Sequence, residues 1–387
     1  MNKTPYFVIN KEKLDANADG FAAALAEHWH HSSIAYSIKT NSLPWLLRYM
    51  KEKSFKVEAV SDEEYELAIL AGFEPRNVVF NGPIKSKRLL RKAVEAGSYV
   101  NIDSQSDVDC LLSMPSYRTE AIGVRINVNT AIFEDRDVGY VEDGFRFGFS
   151  EENGELLKLL KRLNLTDCRF GLHLHCNSVT RNITVYTAIA KYAAELIKKY
   201  RLNPSFIDMG GGFAGGIEGK PTPTEYITAI KNQLCDVIDV NDTELIIEPG
   251  SAIIGSAVEL HTSVLDVKKT AYSNIITTDG SRIYLDPLWR KSRYSYEIKF
   301  KKDPTKREEK QIICGYTCMD HDRIMCLENE YTLSVGDQIV YMREGAYSMT
   351  LGGLFIKYLC DVYVRDGEKM TKVRNKMSAK KYYRLQS

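Results

Sequence analysis

An alternation constrains this chain more than any other feature. Over the first 250 residues, short β-rich runs ending in a polar residue or glycine alternate with amphipathic stretches of helical spacing. The runs cover residues 34–40, 55–60, 78–83, 99–103, 122–129, 169–177, 205–213 and 244–250. Between them, stretches such as 62–71, 87–96, 154–163 and 180–200 repeat apolar residues at intervals of three and four. Eight β/α units in this length predict a closed (β/α)8 TIM barrel over residues 11–250. An open doubly wound sheet shares the periodicity and stays as the alternative.

Beyond Gly250 the long helical stretches end and strand-like runs follow, among them AVELHTSVLDV, NIITTDG, YSYEIKF, QIICGYT and YTLSVGDQIVYM. Residues 251–387 are therefore expected to form a β domain of sandwich or barrel type, which residues 1–10 join. The charged segment FKKDPTKREEK reads as a solvated hairpin loop, and the basic tail 365–387 as a surface segment without strong periodicity.

Charge and composition remove whole classes of function. Lys and Arg total 52 against 51 Asp and Glu, so no basic excess favours a nucleic-acid partner. The longest apolar runs fall far short of the ~20 residues a membrane helix needs. The N-terminal MNKTPYFVINKEKLD lacks the layout of a signal peptide, and the eight cysteines show no CxxC pair. Reduced thiols and a cytoplasmic location are the expectation.

In a (β/α)8 barrel, catalytic groups gather at the carboxyl ends of the strands. Here those ends carry Lys39, Glu58, Asn81, Asp103, Arg125, His175, the run Gly210-Gly211-Gly212, and Glu248. A lysine amine forms Schiff bases, glycines let backbone N–H groups approach a phosphate, and a carboxylate keeps a pyridine nitrogen protonated. Each residue taken alone has an ordinary reading as a solvated charge, a flexible turn or a strand end. Together they are the parts needed to hold a phosphorylated aldehyde cofactor.

The motifs YSIKTN, GLHLHCNS, DMGGGF, EPG, GYTCMDHD and GAY follow in this order along nearly the whole chain. The series resembles that of the fold-type III pyridoxal-phosphate decarboxylases, the ornithine/diaminopimelate decarboxylase family with its alanine-racemase-like barrel. The resemblance implies that Lys39 is the Schiff-base lysine and that His175 stacks on the cofactor ring. It implies further that Glu248 faces the ring nitrogen, Arg125 lies near the O3′ edge, and Glu58 replaces an aspartate of the cofactor-contact layer. Ser178, Gly210, Gly211, Gly212 and Tyr347 would hold the phosphate. The family is a head-to-tail homodimer with shared sites. Cys318 would thus enter the partner's site as proton donor, and Asp322 would reach a basic residue, Arg146, across the interface. No metal is expected.

Substrate recognition departs from the family pattern. Ser251 stands where relatives carry arginine after EPG, Met319 replaces an acidic residue after the cysteine, and Asp286 precedes the proline of an otherwise arginine-bearing motif. Serine cannot fork onto a carboxylate, and methionine cannot pair with an ammonium. The expected substrate is therefore not ornithine, lysine or diaminopimelate but a larger or conjugated amino acid, such as a polyamine conjugate or an intermediate of a specialised metabolite. Arg282, Arg290, Arg293 and Asp320 are candidate specificity groups. Three other readings stand beside this one. A metal-dependent hydrolase could use the His173-Leu174-His175 pair, a racemase could share the fold, and a regulatory homologue could have lost its cofactor.

Overall fold

The computed structural model describes residues 3–176 and 178–387. Met1, Asn2 and Asn177, the last of which ends the sixth expected run and belongs to GLHLHCNS, lie outside the described residues. The chain divides into two compact units: residues 17–252, and residues up to Ala16 together with Ile253–Ser387. The first boundary falls inside the helix Lys11–His28.

The chain opens with strand β1 (Tyr6–Asn10), which belongs to the second unit. The first unit is built on parallel strands β2 (Ser32–Ser37), β3 (Lys56–Ala59), β4 (Val78–Phe80), β5 (Tyr99–Ile102) and β6 (Ile122–Asn127). These are followed by the short β7 (Phe149–Ser150), then β8 (Phe170–Leu174), β9 (Pro204–Asp208) and β10 (Glu244–Ile247). Their order is β5-β4-β3-β2-β10-β9-β8-β6, and β5 pairs with β6, which closes the sheet into an eight-stranded barrel. Closure rules out the open doubly wound alternative. The expected runs match these strands but overshoot their ends, because the strand-end residues have turned out of the ladder. Ile38–Thr40, for example, form a 3-10 turn that lifts Lys39 off the end of β2.

Inside the barrel, Ala35, Val79, Phe206 and Ile246 form a dry cluster with Tyr99 packed against it. The Phe206 ring fills the space beside Gly171, where a Cβ would lie 2.0 Å from it. The helices are set by local chemistry. Ser61, Ser86 and Ser104 each accept a backbone N–H as N-caps, and Thr222 and Glu225 form a reciprocal capping box.

In the second unit, β11 (Val258–Lys269) pairs with β1, β12 (Asn274–Thr278) and β16 (Gln338–Met342). Strands β13 (Ser295–Lys299), β14 (Arg307–Cys314), β15 (Arg323–Tyr331), β17 (Asp361–Asp366) and β18 (Lys369–Arg374) complete a nine-stranded mixed sheet. Two expectations need correction here. Part of the charged segment, from Arg307 onward, is strand rather than loop. The tail is regular as well, because β17 and β18 make a hairpin about Gly367 and Ala379–Gln386 is helical under a Ser378 cap. Most of β18 is exposed, so it lacks the apolar alternation by which a strand is recognised in sequence.

Candidate active site

The strand ends of the barrel bring one connected polar layer together. Lys39 Nζ donates to Ser37 Oγ at 2.8 Å and to Glu58 Oε2 at 2.6 Å. Glu58 is buried and also accepts from Ser37 Oγ at 2.5 Å. The Asn81 amide donates to Glu58 Oε1 at 3.2 Å and to Glu248 Oε1 at 2.5 Å. Asn101 donates in turn to Asn81 Oδ1 at 2.8 Å and to Asp208 Oδ2 at 3.0 Å. Six barrel strands thus supply side chains that fix one another's position.

Two buried carboxylates meet at Asp208 and Glu248. Burial pushes both upward from the usual carboxylate range, and for Glu248 the negative Asp208 and Glu58 add to the effect. Two adjacent carboxylates out of water disfavour each other's ionised form, which favours protonation of the pair. His173 is also fully buried, and neither of its ring nitrogens has a hydrogen-bond partner. Burial, followed by the charge of Arg125, drives its imidazole well below its ordinary value and keeps it neutral. His173, Asp208 and Glu248 bring potential ligand atoms within 4.8 Å of one another. They could therefore ligate a cation, a set different from the His173/His175 pair considered in sequence. Asp208 and Asn101 were missed in the sequence. The available signal was strand parity, since each shares a barrel face with a recognised inward residue two positions away.

The glycine run is shaped for close approach. Gly210 and Gly212 have φ of +62° and +88°. A Cβ on Gly210 would lie 2.5 Å from the His175 side chain, and one on Gly211 would lie 2.5 Å from Glu248 O. Gly211 N–H donates to His175 Nδ1 at 3.3 Å, which requires an unprotonated nitrogen there. Burial and the cations Arg125 and Lys39 push His175 down to about 3, so it is neutral at any physiological pH. Arg125 is held by Asp103 at 3.0 Å, lies over the Phe147 ring at 4.4 Å, and keeps a buried Nε without a partner. Ser178 is half-buried, and its Oγ accepts the Arg181 N–H at 2.8 Å.

This arrangement fits pyridoxal phosphate. An amine sits beside carboxylates, a neutral imidazole lies against a glycine turn with no room for side chains, and a guanidinium nitrogen remains unsatisfied.

Ser251 begins the short helix Ser251–Ile254 and is half-buried. In the second unit, Cys318 is exposed with a free thiol, Met319 is half-buried, and Tyr347 is exposed with φ +66°. Asp322, expected to reach Arg146 of a second copy, is braced within its own chain. It is 2% exposed, and its carboxylate accepts from Ser281 Oγ at 2.9 Å, Arg282 N–H at 3.0 Å and Thr317 Oγ1 at 2.7 Å. It ties its loop to the start of the helix Arg282–Leu285. Arg282 is likewise committed, to Asp286 at 2.5 Å and to the face of Trp289 at 4.8 Å. Arg290, Arg293 and Asp320 are exposed.

Comparison with known proteins agrees with this chemistry. The family described as pyridoxal-dependent decarboxylase, pyridoxal binding domain, matches residues 12–255. A diaminopimelate decarboxylase of Archaeoglobus fulgidus is 26% identical over 390 residues, covering 97% of this chain and 91% of that protein. Another, from Aquifex aeolicus, is 26% identical over 367 residues, 90% of this chain and 83% of the relative. Among solved structures, diaminopimelate decarboxylase from Helicobacter pylori complexed with L-lysine superposes with a TM-score of 0.81 at 22% identity, over 100% of this chain and 97% of that one. The arginine decarboxylase of Paramecium bursaria Chlorella virus bound to agmatine gives 0.77 at 21% identity, over 94% and 96%. At such identities the structures speak for the fold alone. The names of the sequence relatives run against the expectation that diaminopimelate is not the substrate. No helix among the described residues is long and apolar enough to cross a membrane. With the family match spanning the barrel and the strand-end layer suited to the cofactor, the chain belongs to the pyridoxal-phosphate-dependent decarboxylases, carboxy-lyases that act on amino acids.

Proposed function

We propose that this protein removes the α-carboxylate of an amino acid as CO2, with a proton taking its place at the α-carbon. The observation that carries the reading is the Lys39 amine, set at a strand end against Glu58 and tied through Asn81 to Glu248. Bound pyridoxal phosphate supplies an electron sink for the bond pair that CO2 leaves behind. Lys39 would attach the cofactor and give way to the substrate amine, its freed ammonium donating hydrogen bonds to Glu58 and Ser37. Glu248, held by Asn81 and set beside Asp208, would face the ring nitrogen and keep it protonated. Neutral His175 would pack against the ring and Arg125 would stand near its oxygen edge, while Ser178, the Gly210–Gly212 turn and Tyr347 would hold the phosphate. Cys318 of a second copy returns the proton to the α-carbon, which makes the working form a homodimer.

The first substrate to test is diaminopimelate, because the sequence relatives are named for it. Ser251 and Met319 mean that its distal end, or that of any other substrate, would be read by different groups. The test is CO2 release by the pyridoxal-phosphate-loaded protein over a panel of amino acids, alongside Lys39→Ala and Cys318→Ala. The expected result is CO2 and the matching amine, abolished by Lys39→Ala and strongly slowed by Cys318→Ala. Racemisation without CO2, or wild-type protein with no visible cofactor band, would overturn the proposal.

A further inference from the structure

A second lysine lies at the carboxyl end of the barrel, in the loop after β4, and the proposed reaction does not use it. The Lys85 side chain is 0% exposed and that of its ion-pair partner, Asp107, is 1% exposed. Burial pulls the Lys85 amine downward, and the charge of Asp107 opposes that pull. A buried ion pair adds little to stability over apolar residues of the same volume, so this pair is better explained by what it positions.

Lys85 Nζ makes two ties. It donates to Gly82 O at 2.8 Å, in the turn directly after Asn81. That turn is closed tightly, since Gly82 has φ +95° and a Cβ there would lie 2.2 Å from Val60 O. Asn81 in turn holds Glu58 and Glu248. The second tie is to Asp107 Oδ2 at 3.1 Å, and the same oxygen accepts the Asp103 N–H at 3.0 Å. Asp107 is itself fixed in the first turn of the helix Gln105–Leu112, where its N–H donates to the cap Ser104 Oγ at 3.3 Å. Asp103, held in this way from behind, accepts from Arg125 Nη1 at 3.0 Å on Oδ2 and from Gly148 N–H at 2.7 Å on Oδ1.

We infer that Lys85 and Asp107 are positioning residues, and that one buried ammonium braces both ends of the cofactor site. It reaches Glu248 through Gly82 and Asn81, and Arg125 through Asp107 and Asp103. The inference rests on the proposed cofactor site and names what keeps that site preformed. Neither residue touches the reacting atoms.

Two double variants carry the test, each replacing the pair by neutral side chains so that net charge is unchanged. Lys85→Met with Asp107→Leu removes both ties. Lys85→Met with Asp107→Asn keeps an oxygen that can accept the Asp103 N–H. Both should fold, with melting temperatures within about 5 °C of wild type. In cofactor-free protein, hydrogen exchange read by mass spectrometry should be faster around Asp103 and Gly148 in the leucine variant than in the asparagine variant. In the loaded protein, a cation held beside a titrating cationic group lowers its pKa, so loosening Arg125 should raise the pH midpoint of the visible cofactor band by up to about one unit. Cofactor affinity in the leucine variant should fall about ten- to a hundredfold. The asparagine variant should keep the wild-type midpoint and lose only the part of the affinity that depends on the Gly82 tie. Wild-type exchange, midpoint and affinity in the leucine variant, equal changes in both variants, or an affinity loss that merely tracks melting temperature would each overturn the inference. Altered exchange with no visible cofactor band in any of the proteins would sink the proposed reaction and leave the brace standing. CO2 release by proteins whose exchange is unaltered would do the reverse.

Discussion

Gly211→Ala tests the cofactor cradle most sharply. Gly211 does not have a positive φ, so alanine is compatible with its backbone and the effect must come from space. The added Cβ would sit 2.5 Å from Glu248 O, whereas ordinary contact begins near 3.4 Å, so 3.4 − 2.5 = 0.9 Å has to open. Neither side can yield freely. Glu248 N–H donates to Gly210 O at 2.8 Å, and Gly211 N–H donates to His175. Overpacking of this kind costs roughly 1–3 kcal/mol, and a displacement near 1 Å in a binding site costs up to ~100-fold. The expected result is a fall of about ten- to a hundredfold in pyridoxal phosphate affinity, read by absorbance titration of the apoprotein, with a lower melting temperature. Gly20→Ala is the control, since its Cβ would meet only Pro223 Cγ at 3.5 Å inside a helix. It should raise stability by about 0.5–1 kcal/mol and leave cofactor affinity alone. Gly211→Ala with affinity within about twofold of wild type would refute the close-approach argument.

Further expectations follow from other residues. Asn81→Ala removes hydrogen bonds to two buried carboxylates and should lower kcat by at least about tenfold, with the protein still folded by circular dichroism. Glu344 is buried beside Lys291, and burial pushes its carboxyl from 4.5 up to about 7. A raised acid favours the folded state below its unfolded value, and that contribution is lost as pH rises through 7. Glu344→Gln should therefore match wild type in melting temperature near pH 4.5 or below and gain on it progressively through pH 7, by up to about 3 kcal/mol. Because His175 is held neutral, the pH profile of kcat should show no limb from this residue between pH 5 and 8.

Much of the barrel was legible in sequence because each buried parallel strand is a short apolar run, and each run ends in a residue whose polarity makes sense only at a strand end. Lys39, Glu58, His175 and Glu248 stood out for that reason. Asn101 and Asp208 did not. They lie within or at the end of strands, and the need for a polar partner at those positions arises only when the closed barrel faces them toward Asn81 and Glu248. The local role of Asp322 was hidden for a related reason, since its donors Ser281 and Arg282 lie some forty residues away in sequence. The β17–β18 hairpin escaped notice because solvent covers most of β18, and strand pairing to β17 rather than burial defines it.

The central claim is that Lys39 anchors the cofactor within the strand-end layer. Loading the protein with pyridoxal phosphate, reducing it with borohydride and mapping the modified peptide by mass spectrometry tests this directly. The account predicts a single pyridoxyl adduct on Lys39, absent from Lys39→Ala. An adduct on another lysine, or none in protein that binds the cofactor, would contradict it.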